Sequence, residues 1–245
     1  IKRKNSNENE AVENAISSVK NTLSNAEKTD DIEKLRGYEG LAARKYFEVF
    51  KFNLQDEWAE FKTRSKNPPR TNVNAVLSFL YTLLMYRVES AIESQGLDSC
   101  CGNLHAVNYG KTALVFDLME EFRSPVCDSV CCSLFNLGTL KSEDFEKKEF
   151  SAESEDYPLE LEQGKGDSDS NLGDEENSPA KYGILLTKAG IKKVISAFEA
   201  KMNSLILYSP TAQKISYTKI IYQQVQHYKR VICGEEMEYK AYYFK

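Results

Sequence analysis

The first regular pattern along the chain is a helical one. Apolar residues recur every three or four positions near the start, at Val12, Ile16, Val19 and Leu23. This spacing predicts an amphipathic helix from Ala11 to about Ala26. The preceding ten residues, IKRKNSNENE, are polar, and we expect them to fray or to link. We therefore assign residues 1–30 to a linking helix.

A second helix is predicted from Asp31, a suitable N-cap residue, to about Phe50. Its expected buried face carries Leu35, Ala42, Ala43, Tyr46, Phe47 and Phe50. Glu39 falls on the same face, and because an unpaired buried charge is costly, it should have a partner. Gly37 and Gly40 flank Glu39. Because glycine is a poor helix former, we expect these two glycines to have a purpose other than helix stability.

A basic segment and a long apolar helix follow. Lys62, Arg64, Lys66 and Arg70 surround a Pro68-Pro69 stop. A helix is then predicted from Thr71/Asn72 to about Gln95, with Gly96 as its C-cap. It is apolar nearly all round, so we expect it to be central. Its polar residues Asn74, Ser78 and Tyr81 form one stripe, and they either satisfy backbone groups and one another or line a site.

The stretch GLDSCCGNLHAVNYGKTALVFDLMEEFR, residues 96–123, holds the densest candidate chemistry. It contains His105, one of only two histidines in the chain. The apolar run ALVF precedes a helix beginning at DLMEEFR, on which Asp117 and Glu120 share a face. Pro125 suits the first turn of a further helix, VCDSVCCSLFNL, which Gly138 ends.

The composition changes at residues 141–180, where Ser, Asp, Glu and Gly dominate. We interpret this segment as an acidic, mobile insertion rather than an element of the fold. Helices return at residues 181–245: one in GILLTKAGIKKVISAFEAKM, N-capped by Thr187, and one over about 215–232. Strand signals are few, so the fold class is mainly α, with residues 31–140 as a helical core and 181–245 as C-terminal helices of the same domain.

Composition narrows the class of protein. The chain of 245 residues is 41% hydrophobic and 28% charged, as in ordinary soluble proteins. Its longest apolar run, AVLSFLYTLLMY, has 12 residues, too few to cross a bilayer, so we expect no membrane span. No signal peptide is visible, and the lack of an initiator Met suggests a fragment of a longer protein.

The net charge of −5 hides two opposite contributions. Residues 141–180 carry 14 Asp and Glu against 4 Lys, whereas the other 205 residues carry 28 Lys and Arg against 23 Asp and Glu. The body is therefore mildly basic, which permits a phosphate-binding surface. The six cysteines lack CxxC spacing and a disulfide-framework pattern, so reduced thiols are favoured over a zinc site.

Glu39, His105 and Glu120 each lie in apolar sequence beside glycines. An imidazole with two carboxylates is a ligand set for a divalent metal, and it suits Mn²⁺ or Mg²⁺ better than Zn²⁺. Asp117 could ligate as well, or orient the other ligands. The spacing alone does not establish a site, because a single histidine in a helical protein is more often structural.

Four ordered segments resemble the catalytic domain of the CRISPR-associated integrase family, which inserts new spacers into CRISPR arrays. They are RGYEGLAARKYFEVF, NPPRTNVNAVLSFLYTLL, GLDSCCGNLH and LVFDLMEEFRSPVCD, within about residues 35–140. The segment LLTKAG also resembles the family. The resemblance implies a helical catalytic domain that acts as a metal-dependent DNA endonuclease and integrase through phosphodiester transesterification.

The resemblance also implies roles for single residues. Glu39 of the G-x-E-G motif, His105 and Glu120 correspond to the family's metal ligands for Mg²⁺ or Mn²⁺, and Asp117 to an acidic residue beside the metal. Positions that line or buttress the site correspond to Arg123, Asn74, Ser78 and Tyr81. Arg64, Lys66 and Arg70 fall in a segment that lies near bound DNA in the family.

The family context implies partners: double-stranded DNA, a homodimer of the intact protein, and a small dimeric CRISPR-associated subunit in a prokaryotic cytoplasm. The family's N-terminal β-rich domain has no counterpart in these residues, so we expect a trimmed chain or one cut from a fusion, for example with a reverse transcriptase. Two other readings remain open. One is a non-catalytic helical DNA-binding or scaffold module, with the carboxylates in ion pairs with Arg36, Arg44 or Arg123; the other is a cysteine-based zinc hydrolase.

Overall fold

The computed structural model describes residues 6–56, 58–66, 68–105, 112–149 and 182–243. Within these residues the protein is mainly α, as the sequence predicts. The helices are α1 (Ser6–Ala26), α2 (Ile32–Phe50), α3 (Asn72–Ser94), α4 (Ala113–Phe122), α5 (Ser129–Asn136), α6 (Lys188–Asn203) and α7 (Tyr217–Ile232). The strands are β1 (Phe145–Glu149), β2 (Tyr182–Leu186), β3 (Leu205–Tyr208) and β4 (Gln213–Ser216).

The described chain divides into two compact units. One unit comprises residues 1–75 and 135–187, and its core includes two aromatic groups. The first group is Tyr46, Phe47, Phe50 and Phe61, and the second is Trp58, Phe135 and Phe145. The other unit comprises residues 76–134 and 188–245, with a core of aliphatic and aromatic side chains from α3, α4, α6 and α7.

Helix α1 ends where predicted but buries a different face. The apolar stripe should be covered, yet Ile16 is 49% exposed and Leu23 is 59% exposed. The buried positions are Ala15 and Thr22, two turns apart on the same face. These small side chains allow close approach of a neighbouring element, so packing rather than hydrophobicity set the orientation of α1.

Helix α2 is confirmed together with its N-cap. The carboxylate of Asp31 accepts hydrogen bonds from the backbone N–H groups of Glu33 (3.0 Å) and Lys34 (3.4 Å). Its predicted buried face is only partly correct, since Phe50 is fully buried whereas Ala43 is exposed. Glu39 is half-buried.

Helix α3 is confirmed, and so is its predicted C-cap at Gly96. Gly96 has a positive φ of 71°, its N–H bonds the carbonyl of Glu93 (2.9 Å), and the N–H of Leu97 bonds the carbonyl of Ile92 (3.2 Å). This pair of bonds is a Schellman motif. By length and composition alone α3 could cross a membrane, but burial explains its apolar character. Seven of its residues have no exposed surface: Val73, Val76, Leu77, Leu80, Leu84, Val88 and Ile92.

The predicted break at Pro125 is wrong. The chain continues from α4 through a π-helical segment, Arg123–Asp128, into α5, and Gly138 with a φ of 62° follows the end of α5 as predicted. The helix also begins at Ala113, earlier than the expected start at DLMEEFR. A π-helical segment accommodates the missing N–H of proline without ending the helix, because its hydrogen bonds span five residues.

The predicted insertion begins too early. Residues 142–144 form a 3₁₀ turn and residues 145–149 form β1, which pairs with β2 in an antiparallel hairpin from Phe145↔Leu186 to Glu149↔Tyr182. The buried Asp144 fixes this corner, because its carbonyl accepts a hydrogen bond from the N–H of Thr187 (2.9 Å). Residues 150–181 lie outside the described residues.

The C-terminal region contains both predicted helices and two unpredicted strands. Helix α6 begins directly after Thr187, the predicted N-cap residue, and the segment before Thr187 forms strand β2, which was not predicted. A second hairpin, β3–β4, connects α6 to α7. The hydroxyl of Ser216 accepts a hydrogen bond from the N–H of Lys219 (3.4 Å) and caps α7.

Asn74, a residue of the polar stripe on α3, holds the basic segment in place by hydrogen bonds. Its side-chain amide donates to the carbonyl of Thr63 (2.9 Å) and to the hydroxyl of Thr71 (3.0 Å). Its Oδ1 accepts from the N–H of Ser65 (3.1 Å) and from Arg64 Nη1 (3.0 Å). All four hydrogen-bonding positions of this buried amide are therefore filled, which is the structural role that the sequence left open.

Replacing Asn74 with Ala should destabilise the protein by on the order of 1–3 kcal/mol, because the loop N–H and carbonyl groups lose their partner. Urea unfolding followed by circular dichroism measures the change. The matched control is Asn203→Ala, which removes an exposed amide bonded to the carbonyl of Glu199. Equal stability losses in the two variants would contradict the role assigned to Asn74.

Candidate metal centre

The loop that carries His105 is built by local hydrogen bonds. The carboxylate of Asp98 accepts a bond from the N–H of Cys100 (2.9 Å), an Asx turn that starts the loop after α3. The N–H of Leu114, in the first turn of α4, bonds the carbonyl of Ser99 (3.0 Å). The loop is therefore fastened to the N-terminus of α4.

Gly102 is required at the closest approach of this loop to α4. A Cβ at this position would lie 2.7 Å from the backbone carbon and 2.7 Å from the Cβ of Ala113. No real Cβ contact is that short, so a larger residue would push the loop away from the helix. The glycine that the sequence analysis associated with His105 thus has a packing function.

Asp117 of α4 holds the end of the loop. One carboxylate oxygen accepts bonds from the N–H groups of Asn103 and Leu104, the latter at 3.1 Å. The other accepts from the N–H of His105 (3.0 Å) and lies 2.8 Å from His105 Nδ1. Three successive amides and the imidazole therefore converge on one side chain.

The pKa of Asp117 is consistent with an ionised acceptor. Burial on its own would raise this pKa, but hydrogen bonds from the imidazole and from the three backbone amides outweigh burial and hold it below its ordinary value. An ionised carboxylate accepts the Nδ1 proton of His105, which places the lone pair of the ring on Nε2. The ring of Phe116, with its centroid 5.6 Å away, also packs against the imidazole.

Glu120 lies one turn after Asp117 on α4. It forms an ion pair with Arg123 of the π-helical segment (2.7 Å), and both side chains are half-buried. The guanidinium of Arg123 lies 5.2 Å from the ring centroid of Tyr81, whose hydroxyl donates to the buried carboxylate of Asp128 (2.7 Å). The polar residues Tyr81 and Arg123 therefore support the helix region that presents Glu120.

Glu39, His105 and Glu120 each offer one ligand atom, and these atoms lie within 4.8 Å of one another. Two carboxylate oxygens and one imidazole nitrogen form a donor set that fits a divalent cation such as Mn²⁺ or Mg²⁺. This is a candidate metal site in the described part of the chain, and it consists of the three ligands that the sequence resemblance implies.

The remaining predicted site residues have other contacts. Arg64 Nη1 bonds the carbonyl of Ser65 (2.6 Å) in addition to Asn74, and the guanidinium of Arg70 lies 5.9 Å from the ring centroid of Tyr182. The carbonyl of Ser78 accepts from the hydroxyl of Thr82 (3.0 Å) within α3. Lys66 is exposed. Within the polar stripe, Asn74 thus bonds the basic segment and Tyr81 bonds Asp128.

Among the described residues, the candidate metal-ligating group contains no cysteine. All six cysteines are described, none forms a disulfide, and none belongs to a group of metal-ligating side chains among the described residues. Burial, with a smaller contribution from nearby Asp128, raises the pKa of Cys132 to about 12. Burial also raises the pKa of Cys127. Such thiols stay protonated and are poor zinc ligands.

Sequence reasoning missed Glu121 and its partners in the C-terminal segment. The carboxylate of Glu121 accepts bonds from the hydroxyl of Tyr239, from the N–H of Tyr242 (2.7 Å) and from Gln224 Nε2 (3.0 Å). Burial raises the pKa of Glu121 despite these bonds, which lower it. The aromatic tail EYKAYYFK was the one available signal, and it does not indicate a carboxylate partner.

Comparison with known proteins adds independent information. The family model described as CRISPR associated protein Cas1 matches residues 1–154. The CRISPR-associated endonuclease Cas1 3 of Thermus thermophilus is 35% identical over 224 residues, which cover 91% of this chain and 58% of that protein. The chain spans about half the length of the curated relatives it matches.

Two solved structures share the fold. A Cas6-RT-Cas1--Cas2 complex aligns with a TM-score of 0.75 and 20% identity, over 98% of this chain and 23% of that chain. A casposase bound to integration product aligns with a TM-score of 0.72 and 21% identity, over 96% of this chain and 61% of that chain. At these identities the likeness concerns the fold.

Replacing Gly102 with Ala should destabilise the protein by about 1–3 kcal/mol, the usual cost of overpacking, because the added methyl group overlaps Ala113. It should also speed hydrogen exchange of the amides of residues 103–105. Urea unfolding and exchange mass spectrometry measure both effects.

The control for Gly102→Ala is Gly40→Ala in α2, where an added Cβ meets nothing within 4 Å. That change should leave the exchange of residues 103–105 unaltered and stabilise the helix by up to about 1 kcal/mol. If Gly102→Ala behaves in the same way as Gly40→Ala, the close approach does not hold the loop.

Proposed function

The chain belongs to the Cas1 family of CRISPR-associated proteins, and from this premise we propose that it is the catalytic part of a metal-dependent DNA endonuclease and integrase. The proposed reaction inserts short DNA fragments, or spacers, into a CRISPR array by phosphodiester transesterification. With water in place of the attacking hydroxyl, the same site hydrolyses DNA. The name of the Thermus relative, an endonuclease, supports the nuclease part of the proposal.

The observation that carries this proposal is the set of donors around His105. Asp117 fixes the imidazole through Nδ1 (2.8 Å), and Glu120 follows one turn later on the same helix. Together with Glu39, they supply a nitrogen and two carboxylate oxygens near one point. We assign Glu39, His105 and Glu120 as ligands of Mg²⁺ or Mn²⁺ and Asp117 as the residue that orients His105.

The chemistry requires no nucleophilic side chain. The 3′-hydroxyl of the incoming fragment attacks a phosphate at the repeat boundary, one P–O bond forms as another breaks, and the leaving 3′ oxygen takes a proton from solvent. When bound, the divalent cation supplies Lewis-acid polarisation of the phosphate. Asp117 keeps the His105 lone pair at Nε2, and Arg123 holds Glu120 in place through its ion pair.

Open space beside Glu39 supports the approach of DNA. A Cβ at Gly37 or Gly40 would meet no atom within 4 Å among the described residues, so packing does not require glycine at either position. Each glycine nevertheless costs the helix about 1 kcal/mol relative to alanine. We infer that both positions stay bare so that a DNA strand can approach Glu39.

The basic segment supplies charge for backbone contacts. Arg64 is hydrogen-bonded to the buried Asn74, and Arg70 lies against the ring of Tyr182. Lys66, between them in the chain, is exposed. Lys147 of β1 lies 3.7 Å from the ring centroid of Tyr182, which also contacts Arg70. Such contacts recognise phosphates rather than base sequence and weaken with salt.

The proposed assembly extends beyond this chain, which spans about half of its relatives. We propose a homodimer of the intact protein that binds double-stranded DNA together with a small dimeric CRISPR-associated subunit in a prokaryotic cytoplasm. The complex of Cas6-RT-Cas1 with Cas2 supports both the partner and a fusion to a reverse transcriptase. The casposase bound to integration product supports the integration step.

One observation favours a second candidate, a non-catalytic helical DNA-binding or scaffold module. Glu120 is already paired with Arg123 at 2.7 Å, as this alternative requires. Arg36, by contrast, pairs with Glu33. Binding of Mn²⁺ separates the two candidates, since the scaffold needs none and the enzyme depends on it.

His105→Ala and Glu120→Gln should each lower Mn²⁺-dependent strand transfer by the full-length protein by more than about 10²-fold, because transition-state charge loses its stabilisation. Unfolding midpoints should change little. A gel assay with labelled spacer and repeat DNA measures transfer, and electron paramagnetic resonance measures free Mn²⁺.

The matched control for these two variants is Glu13→Gln, an exposed residue of α1, which should retain full transfer. Wild-type transfer in His105→Ala or Glu120→Gln would remove the catalytic assignment. Strand transfer that is unchanged after metal chelation would contradict the proposed role of the metal.

Gly40→Leu should weaken DNA turnover by roughly tenfold or more, because misplacing a strand by even 1 Å is costly. Its affinity for Mn²⁺ should stay at the wild-type value, since the added side chain meets open space. Steady-state kinetics with increasing DNA measures the effect, and Ser17→Leu at an exposed position of α1 is the control. Normal turnover by Gly40→Leu would show that DNA does not pass there.

A further inference from the structure

Helix α4 carries residues with two sets of partners. Asp117 holds the His105 loop, whereas Glu121, one turn later on the same face, and Phe122 contact the C-terminal segment. Glu121 directly follows Glu120 in the chain, so any movement of the Glu121 backbone also moves Glu120. The contacts of Glu121 therefore bear on the geometry of the candidate metal centre.

The C-terminal segment, residues 235–243, folds back as a strap over α4 and α7. Its Tyr239 hydroxyl and the N–H of Tyr242 both donate to the carboxylate of Glu121, the second at 2.7 Å. The ring of Tyr242 stacks on Phe122 with centroids 5.8 Å apart and an interplanar angle of 12°, and Tyr242 is 9% exposed. The strap thus contacts two successive residues of α4, Glu121 and Phe122.

Gln224 of α7 completes the attachment. Its Nε2 donates to Glu121 (3.0 Å) and to the carbonyl of Lys240 (3.1 Å), and its Oε1 accepts from the hydroxyl of Tyr208 (2.7 Å). This side chain is 2% exposed. A buried amide with partners at both ends has one acceptable orientation, so it fixes the strap relative to α4.

His227 and Glu236 fasten the other part of the strap to α7. The N–H of Lys240 donates to His227 Nε2 (2.8 Å), and His227 Nδ1 pairs with Glu236, which also pairs with Arg230. The imidazole stacks on Tyr239 with centroids 5.1 Å apart. The hydroxyl of Tyr239 is therefore held in position to reach Glu121.

We propose that Glu121 is a positioning residue and that the strap, residues 235–243, sets the placement of α4 through it. In this arrangement the strap holds α4 one turn after Asp117, at the residue next to Glu120. Loss of the Glu121 contacts lets α4 shift, which weakens the hydrogen bonds that the amides of residues 103–105 donate to Asp117. Insofar as it concerns metal binding, the inference rests on the proposed function.

The test uses Glu121→Gln and Tyr239→Phe in the full-length protein. Glu121→Gln replaces an acceptor oxygen by an amide donor that faces other donors, and Tyr239→Phe removes a single hydroxyl. Both should speed hydrogen exchange of the amides of residues 103–105, which donate to Asp117. Both should also weaken Mn²⁺ binding by about 10- to 100-fold, as changes next to metal ligands do.

The double variant links the two residues. Because Tyr239 donates to Glu121, the combined effect on exchange should be smaller than the sum of the single effects. Tyr243→Phe is the matched control, since it removes a hydroxyl from the same strap at a residue that is 79% exposed. Its exchange and Mn²⁺ affinity should equal those of the wild type.

Phe135→Leu controls for general loss of stability, because Phe135 is buried in the other unit beside Trp58. It should lower the unfolding midpoint without accelerating exchange at residues 103–105. If Glu121→Gln and Tyr239→Phe leave that exchange unchanged, or if Phe135→Leu accelerates it equally, the positioning role is overturned. If the two variants accelerate exchange at residues 103–105 but the wild-type protein binds no Mn²⁺, the positioning role of the strap is retained and the proposed metal function is wrong.

Discussion

The convergence of three backbone N–H groups and one imidazole on the carboxylate of Asp117 underlies the rest of the candidate site. A loop of this kind cannot hold itself, because its amides have no partners in a helix or a sheet. Ionised Asp117 provides those partners, and the same carboxylate selects the tautomer of His105. Loop order and ligand orientation are therefore consequences of one side chain, and removing it would disturb both together.

Helix α4 transmits constraints to this carboxylate from several directions. Its first turn meets the loop at Gly102, where only glycine fits. Its last turn meets the strap through Glu121, and the π-helical segment then brings Arg123 to Glu120. A short helix with contacts at both ends can keep two carboxylates in place without much intrinsic helix propensity, since packing supplies the stability.

The open surface beside Glu39 contrasts with this tight packing. Among the described residues, a Cβ added at Gly37 or Gly40 would meet no atom within 4 Å, whereas a Cβ added at Gly102 would lie 2.7 Å from Ala113. The same residue type therefore has two different physical roles, close backbone contact in one place and unfilled space in the other. Sequence alone shows that glycine is present, and the surroundings decide which role applies.

Interactions within a few residues made much of the fold predictable. The Asp31 cap of α2 and the Gly96 end of α3 depend on neighbours along the chain, and both form as expected, as does the helix predicted over about residues 215–232. The β1–β2 hairpin was missed because it pairs segments separated by more than thirty residues, and the charged run FEKKE has no distinctive strand pattern.

The sequence by itself determined the mainly helical class, most helix ends and the motifs that carry Glu39, His105 and Glu120, because these features depend on local bonding and on residue identity. Tertiary structure decided which face α1 buries, how the helix passes Pro125, and that Asp117 and Glu121 hold the loop and the strap. Those outcomes depend on which distant donors meet a given carboxylate, and many different pairings satisfy the same local pattern. The relevant free energies arise only when the segments pack together.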